Sequence, residues 1–341
     1  MPKKVMAVVM IAVLAFSLAA CSSGGGGDKL KVTMVTDVGG VNDQSFNQSA
    51  WEGLQQAGKD LDIKVSYQES HQDADFVPNL ETALDAGNDL IWGIGYKLGD
   101  PILEAAKKSP DTKYAIVDFA YEDTPENVVG VVFKQEQPSF LVGYIAAKMT
   151  QTGKVGFVGG MEGDVINAFE NGYHAGVEYA NKVNGTNVEV IIQYAESFTD
   201  AAKGKAIANS MYQQGADIVF HAAGGVGDGV IEAAKEQGKF AIGVDRDQNY
   251  MAPDNVITSA MKRVDVGVYN VVKDLKDGKF PGGTTVVYGL EEGAVDIAPT
   301  SDKHVPKEIL DEVEDLKKDI IDGKIEVPFN EDTFNDFVDS L

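Results

Sequence analysis

The sequence predicts an α/β protein built from two similar lobes, each a parallel sheet flanked by helices. Three observations carry this expectation. Short apolar runs alternate with amphipathic helical segments along most of the chain, the pattern of βαβ units. About 310 residues follow a Gly-rich segment near the N-terminus, enough for two domains at ~100–200 residues each. The chain also repeats itself. "GNDLIWGIGYKLGDPILEAAK" from Gly87 to Lys107 aligns without a gap to "GADIVFHAAGGVGDGVIEAAK" from Gly215 to Lys235. "YQESHQDA" at Tyr67 pairs with "YAESFTDA" at Tyr194, "KVTMVT" at Lys31 with "KVGFVG" at Lys154, and "YAIVD" ending at Asp118 with "FAIGVD" ending at Asp245. Four segments in the same order indicate a duplicated unit.

The elements follow in chain order. Lys3 and Lys4 precede the apolar run "VMAVVMIAVLAFSL", and "LAAC" closes it at Cys21, the layout of a secretory signal. A spanning helix needs roughly 20 apolar residues, which neither this run nor any later one reaches. Cys directly after Leu-Ala-Ala resembles a bacterial lipobox, in which the sulfur takes a diacylglycerol and becomes the mature N-terminus. Cys21 is the only cysteine, so the chain has no internal disulfide despite export. "SSGGGGD" then reads as a flexible tether. Residues 1–20 are expected as signal peptide and 21–28 as lipidated Cys plus tether, holding a body to the outer face of a bacterial cell membrane.

Within the body, the first copy predicts strands near 31–36, 63–67, 89–94 and 114–117. The second predicts strands near 154–158, 188–194, 217–221 and 240–244. From "NVITSAMK" at Asn255 onward the chain is expected to cross back and complete both lobes. The expected division is 29–134 plus about 258–290 for the first lobe and 135–257 plus about 291–329 for the second. Residues 330–341 are expected as a peripheral acidic tail.

Composition narrows the function. Formal net charge is −24 and the only arginines are Arg246 and Arg263, which argues against nucleic acid and against anionic ligands. Enzyme motifs are missing too. Gly225-Val-Gly227 has Val230, and Gly93-Ile-Gly95 has Leu98, where a dinucleotide fingerprint needs its third glycine. No phosphate loop and no Gly-x-Ser-x-Gly elbow occurs. His71, His174, His221 and His304 lack zinc-ligand spacing, so neither metal nor cofactor is expected.

Ligands of open α/β sheets sit beyond the carboxyl ends of the strands, so two facing lobes would share one cleft. Asp37 ends the first strand. Ser45 and Gln48 have capping-box spacing, which starts a helix at Phe46 with its ring toward the cleft. Phe198 follows the "YAES" strand end, with His71 as its repeat partner. Gly224 and Gly225 follow "DIVFHAA", where missing side chains let a ligand approach the backbone. Asp118 and Asp245 end strands in opposite lobes, and Lys262 ends the crossing segment. A strand-terminal Asp is often only a helix cap, and Lys262 could equally be a solvated surface residue. Together they suit a flat, neutral, hydrogen-bonding ligand, since stacking on a nucleobase contributes ~1–3 kcal/mol.

"TDVGGVNDQSFNQSAWEG", "IVDF", "GVDRDQ" and "SAMKRVD" resemble blocks of the basic membrane protein family of lipoproteins, whose best-known members are purine nucleoside receptors. The likeness runs from about Leu30 to Phe329. It departs at Asn42, where many relatives carry Asp. The resemblance implies a type I periplasmic-binding-protein fold with three crossovers. It also implies an ABC importer's permease and ATPase as partners, and inosine, guanosine or adenosine as ligand. By the same resemblance Phe46 and Phe198 would stack the base. Asp37, Asn47 and Asp118 would contact the nucleoside, and Asp245 and Lys262 would hold the ribose. The rival expectation is a binding lipoprotein for a sugar or another small neutral metabolite, because aromatic rings also stack on pyranoses. A sensing or adhesive role has no local signature.

Overall fold

A computed structural model describes residues 29–341; the expected signal peptide, Cys21 and tether lie outside the described residues. The first sheet contains β1 (Lys31–Thr36), β2 (Lys64–Gln68), β3 (Leu90–Ile94), β4 (Lys113–Val117), β5 (Val128–Phe133) and β11 (Thr284–Tyr288), in the order β11-β5-β4-β3-β1-β2. The second contains β6 (Lys154–Gly159), β7 (Glu189–Tyr194), β8 (Ile218–Ala222), β9 (Phe240–Asp245), β10 (Val256–Lys262) and β12 (Val295–Ile297), in the order β12-β10-β9-β8-β6-β7. The orders coincide when β1 is laid on β6 and each following strand on its counterpart, so the sequence duplication is a duplication of topology. The sixth strand breaks the symmetry: β11 runs parallel to β5, whereas β12 runs antiparallel to β10.

Burial follows position in the sheet. The central strands β3 and β8 are buried throughout, because helices cover both faces, and this is why they read as unbroken apolar runs. The edge strands β2 and β7 expose residues along their length. The helices are α1 (Phe46–Asp60), α2 (Phe76–Asp85), α3 (Gly99–Lys108), α4 (Glu136–Met149), α5 (Asp164–Asn184), α6 (Ala201–Gln213), α7 (Val226–Gln237), α8 (Val264–Lys276), α9 (Lys307–Ile321) and α10 (Glu331–Ser340). Glycines let some of them touch backbone to backbone. A Cβ at Gly176 of α5 would lie 2.0 Å from the Phe140 carbonyl oxygen of α4, and one at Gly143 would lie 2.1 Å from that of Tyr173.

The chain passes between lobes after β5, after β10 and after β11. The second crossing differs from the expected division at residue 258. β10 stays paired with β9 and β12 as far as Lys262, so the chain leaves the second sheet only at Arg263. α8 then packs on α1 of the first lobe, and its valines 264, 268, 271 and 272 join the same buried cluster as Val32, Met34 and Trp92. That cluster continues through Phe140, Leu141 and Tyr144 of α4 to Ile309, Val313 and Leu316 of α9.

The acidic tail is not loose. Residues 331–340 form α10, whose capping box has Asn330 Oδ1 accepting from Thr333 N at 2.9 Å and Thr333 Oγ1 accepting from Asn330 N at 3.2 Å. Phe337 meets Phe140 edge-on at 6.0 Å between ring centroids, and Phe334 stacks on His174 at 4.4 Å. The charge pattern hid two aromatics spaced three apart, which anchor the helix.

Candidate functional site

The turn after β1 is organised by a carboxylate. Asp43 Oδ1 accepts from the backbone N–H groups of Ser45 and Gln48, both at 3.0 Å, and Asp43 Oδ2 accepts from Asn47 N at 2.8 Å. The expected capping box of Ser45 and Gln48 does not form, and Ser45 makes no side-chain cap. Gln44 takes φ +54°, which turns Asp43 toward the amide groups and sends the Ser45 hydroxyl across the cleft, where it donates to Asp245. An Asp so close before a helix start is a usual capping residue, and that signal was available in "NDQSF".

Asn47 is held from two sides. Its Nδ2 donates to Asp37 Oδ1 at 2.7 Å and to Asp43 Oδ2 at 3.0 Å, so its Oδ1 must face away from them. That oxygen is buried and has no partner. Asp37 Oδ1 also accepts from Gly39 N at 2.9 Å. Phe46, the first residue of α1, lines the cleft beside them, and its ring would lie 3.6 Å from a Cβ at Gly95.

The second lobe supplies Phe198 from the connection between β7 and α6. Its ring lies so close over Gly160 that a Cβ there would sit 2.3 Å away. Gly224 lines the cleft, but Gly225 does not: it is the N-cap position before α7, beside the Phe198 and Thr199 backbone. Asp118 and Asp245 occupy equivalent positions at the carboxyl ends of β4 and β9, and both take φ +65°. Left-handed backbone at two matching non-glycine positions aims each carboxylate across the strand ends instead of into a helix cap.

Lys262 is buried, not a solvated surface residue. It is 1% exposed, and its Nζ donates to Asp118 Oδ2 at 2.6 Å across the lobes. The rings of Phe46, Phe133 and Phe169 surround the ammonium, with centroids at 5.3, 5.4 and 5.6 Å. Burial pushes the Asp37 carboxyl up to about 6, against the opposing hydrogen bonds from Gly39 and Asn47. Burial also pushes Asp245 up to about 6, while Lys262 and the Ser45 hydroxyl act in the other direction.

Asp37, Phe46, Asn47, Asp118, Phe198, Gly224, Asp245 and Lys262 thus line one cleft of about 580 Å³, its mouth included. Sequence reasoning missed Asp43, Tyr96, Phe169 and the wall of Val165 and Ile166. Tyr96 was reachable, since the gapless repeat pairs it with Gly224. Phe169 lies on one face of α5, where spacing alone reads it as core. Lys262 is the one cation among the described lining residues, facing the carboxylates of Asp37, Asp43, Asp118 and Asp245. No group of three or more His, Cys, Asp or Glu among the described residues is placed to hold a metal ion.

Residues 30–331 match the family described as "ABC transporter substrate-binding protein PnrA-like". The chain belongs to this family. A "CD4+ T-cell-stimulating antigen" of Listeria innocua is 44% identical over 95% of this chain and 97% of its own length. The "ABC transporter nucleoside-binding protein BmpA" of Lactococcus lactis is 43% identical over 96% of this chain and 99% of its own. Among solved structures, a solute-binding protein of an ABC transporter system from Aeropyrum pernix superimposes with a TM-score of 0.83 and 32% identity, covering 90% of this chain and 96% of that one. The fold is therefore that of type I periplasmic-binding proteins, and this family member works as the substrate-binding component of an ABC transporter, not as an enzyme. No described helix is long and apolar enough to cross a membrane.

Proposed function

We propose that the cleft binds a purine nucleoside for import, with guanosine and inosine preferred over adenosine, and that Cys21 carries the lipid that anchors the protein. The observation that carries the ligand reading is Asn47. Its Nδ2 is committed to two carboxylates, so it offers the cleft an unpaired acceptor next to the acceptor Asp37. A pair of neighbouring acceptors suits a ligand edge with neighbouring donors. Guanine has two, N1–H and the N2 amino group, and hypoxanthine has one. Adenine places an acceptor, N1, beside its amino donor. One aromatic ring from each lobe suits a flat base, and the acid-rich lining excludes a phosphate. The nucleoside-binding name of the Lactococcus relative supports the same class of ligand.

Titration calorimetry on residues 28–341, unfolded and refolded to strip carried-over ligand, tests this. Those residues contain every described element and core. Guanosine is expected to bind tightest, and adenosine about tenfold more weakly or worse, the cost of an unpaired buried acceptor. Inosine monophosphate should give no heat. Heat from ribose or another sugar with none from nucleosides would move the assignment to the sugar-binding alternative.

The pH dependence has a definite sign. Asp37 and Asp245 stand near 6 in the closed cleft, above their ordinary value of 3.8, so they bind protons there more readily than in the unfolded chain. Their contribution favours the folded protein at low pH and is lost as pH rises through 6. A ligand that donates to them favours the charged carboxylates, so binding releases protons. Guanosine affinity should therefore fall when the same titration is moved from about pH 7.5 to about pH 5. An affinity that rises over that interval would show that these carboxyls do not accept from the ligand. For the anchor, Cys21→Ala is expected to move the protein from the membrane fraction to the soluble one. Retention at the membrane would point to another attachment.

A further inference from the structure

Two of the segments that carry the cleft's polar groups also meet outside it. Gln248 Nε2 donates to the Gln44 carbonyl oxygen at 3.1 Å, and the Tyr250 hydroxyl donates to Gln44 Oε1. Arg246 Nη2 lies 3.0 Å from both carboxylate oxygens of Glu52. Gln44, Glu52, Arg246, Gln248 and Tyr250 do not line the cleft. Yet Gln44 and Glu52 bracket Phe46 and Asn47 on the first lobe, and the other three directly follow Asp245 on the second.

Gln248 is a fully buried arm braced within its own lobe. Its Oε1 accepts from Val244 N at 2.9 Å and lies 3.0 Å from His221 Nε2. Oε1 can only accept, so His221 must present Nε2–H, and burial keeps that ring neutral by lowering its pKa to about 4. Both bonds to Oε1 fix the amide so that its Nε2 points across to Gln44. That contact helps hold Gln44 at its left-handed φ of +54°, the same turn that sets Asp43 and Asn47 in place.

We propose that Gln44, Glu52, Arg246, Gln248 and Tyr250 form a latch that sets the residence time of the ligand without touching it. Opening the lobes must break all of these links together with the bond from Ser45 to Asp245. Closing must also bring Asp43 toward Asp228, whose carboxyl burial and the Asp43 charge together push up to about 6. The ion pair of Arg246 with Glu52 opposes that repulsion at the rim. These are positioning residues: they act through the loops that present Phe46, Asn47 and Asp245. The proposal rests on the nucleoside reading only for the choice of guanosine as probe.

The test compares Arg246→Glu, Glu52→Arg and the double swap with the parent. Guanosine dissociation is followed by stopped flow, and the radius of gyration of the ligand-free protein by X-ray scattering. Arg246→Glu is expected to speed release about three- to tenfold, with the association rate within about threefold of the parent. An expanded ligand-free particle would equally show the latch failing. The swap restores the pair with reversed polarity and should return release and size to near the parent values. Unchanged release together with unchanged size in Arg246→Glu, or a swap as impaired as the single variants, would overturn the proposal. Should the parent give no guanosine signal, the nucleoside reading fails, and the scattering comparison, which needs no ligand, decides the latch by itself.

Discussion

Alanine in place of Phe46 is expected to weaken guanosine binding about ten- to a hundredfold, the loss of one stacking face worth ~1–3 kcal/mol. The ring is the first residue of α1, lines the cleft, and stands opposite a lobe that contributes Phe198. Phe46→Trp, which keeps a flat face, should retain most of the affinity. Phe46 also lies against the Lys262 ammonium, and a purely structural role has its own signature. In that case the alanine variant would lose stability in denaturant titrations but bind guanosine as tightly as the parent. Calorimetry and denaturation on the same preparation separate the two outcomes.

Replacing Lys262 by methionine is expected to destabilise the protein by about 3–5 kcal/mol, the cost of leaving a buried charge without its partner. Asp118 has a side chain only 6% exposed, and its ion pair with Lys262 links β10 of the second lobe to the end of β4 in the first. Lys262 is also the cation that restrains Asp245, whose carboxyl would be pushed further up in its absence. The double variant with Asp118→Asn removes the orphaned charge and should recover most of the loss. Urea denaturation of the parent, the single and the double variant provides the test. A single variant within about 1 kcal/mol of the parent would mean that water reaches Asp118, and that the pair is no more than a surface ion pair. Ligand binding should fail in the single variant and not return fully in the double, because the cleft has then lost the lysine donor and the negative charge of the Asp118 carboxylate.

Much of the architecture was legible in the residues alone. Strand positions followed from apolar runs, because central strands covered on both faces must be apolar at every position. The duplication was readable because equivalent turns need equivalent residues, such as the matched aspartates at the ends of β4 and β9. Phe46 and Phe198 could be placed at the cleft because strand ends in this class of sheet face the ligand. All of these inferences use information local in the chain or repeated along it.

Tertiary structure decided the rest, wherever the deciding partner lay far away in sequence. Ser45 looked like a cap, but Asp43 takes the helix amides and Ser45 serves Asp245, two hundred positions on. Lys262 could have been solvated until three rings and Asp118 closed around it. Phe169 has the spacing of a core residue, and only the approach of the other lobe turns its face into a cleft wall. The acidic tail became a docked helix because α4 and α5 offer Phe140 and His174 to its two phenylalanines. Thus the sequence by itself determined the repeated fold and the ends of the strands where a ligand must lie, since periodicity and turn chemistry are local. Which polar atoms remain free to meet that ligand was settled by contacts in space, within a lobe for Asn47 and between the lobes for Ser45, Asp118 and Lys262, because a hydrogen bond's partner is set by distance in space and not along the chain.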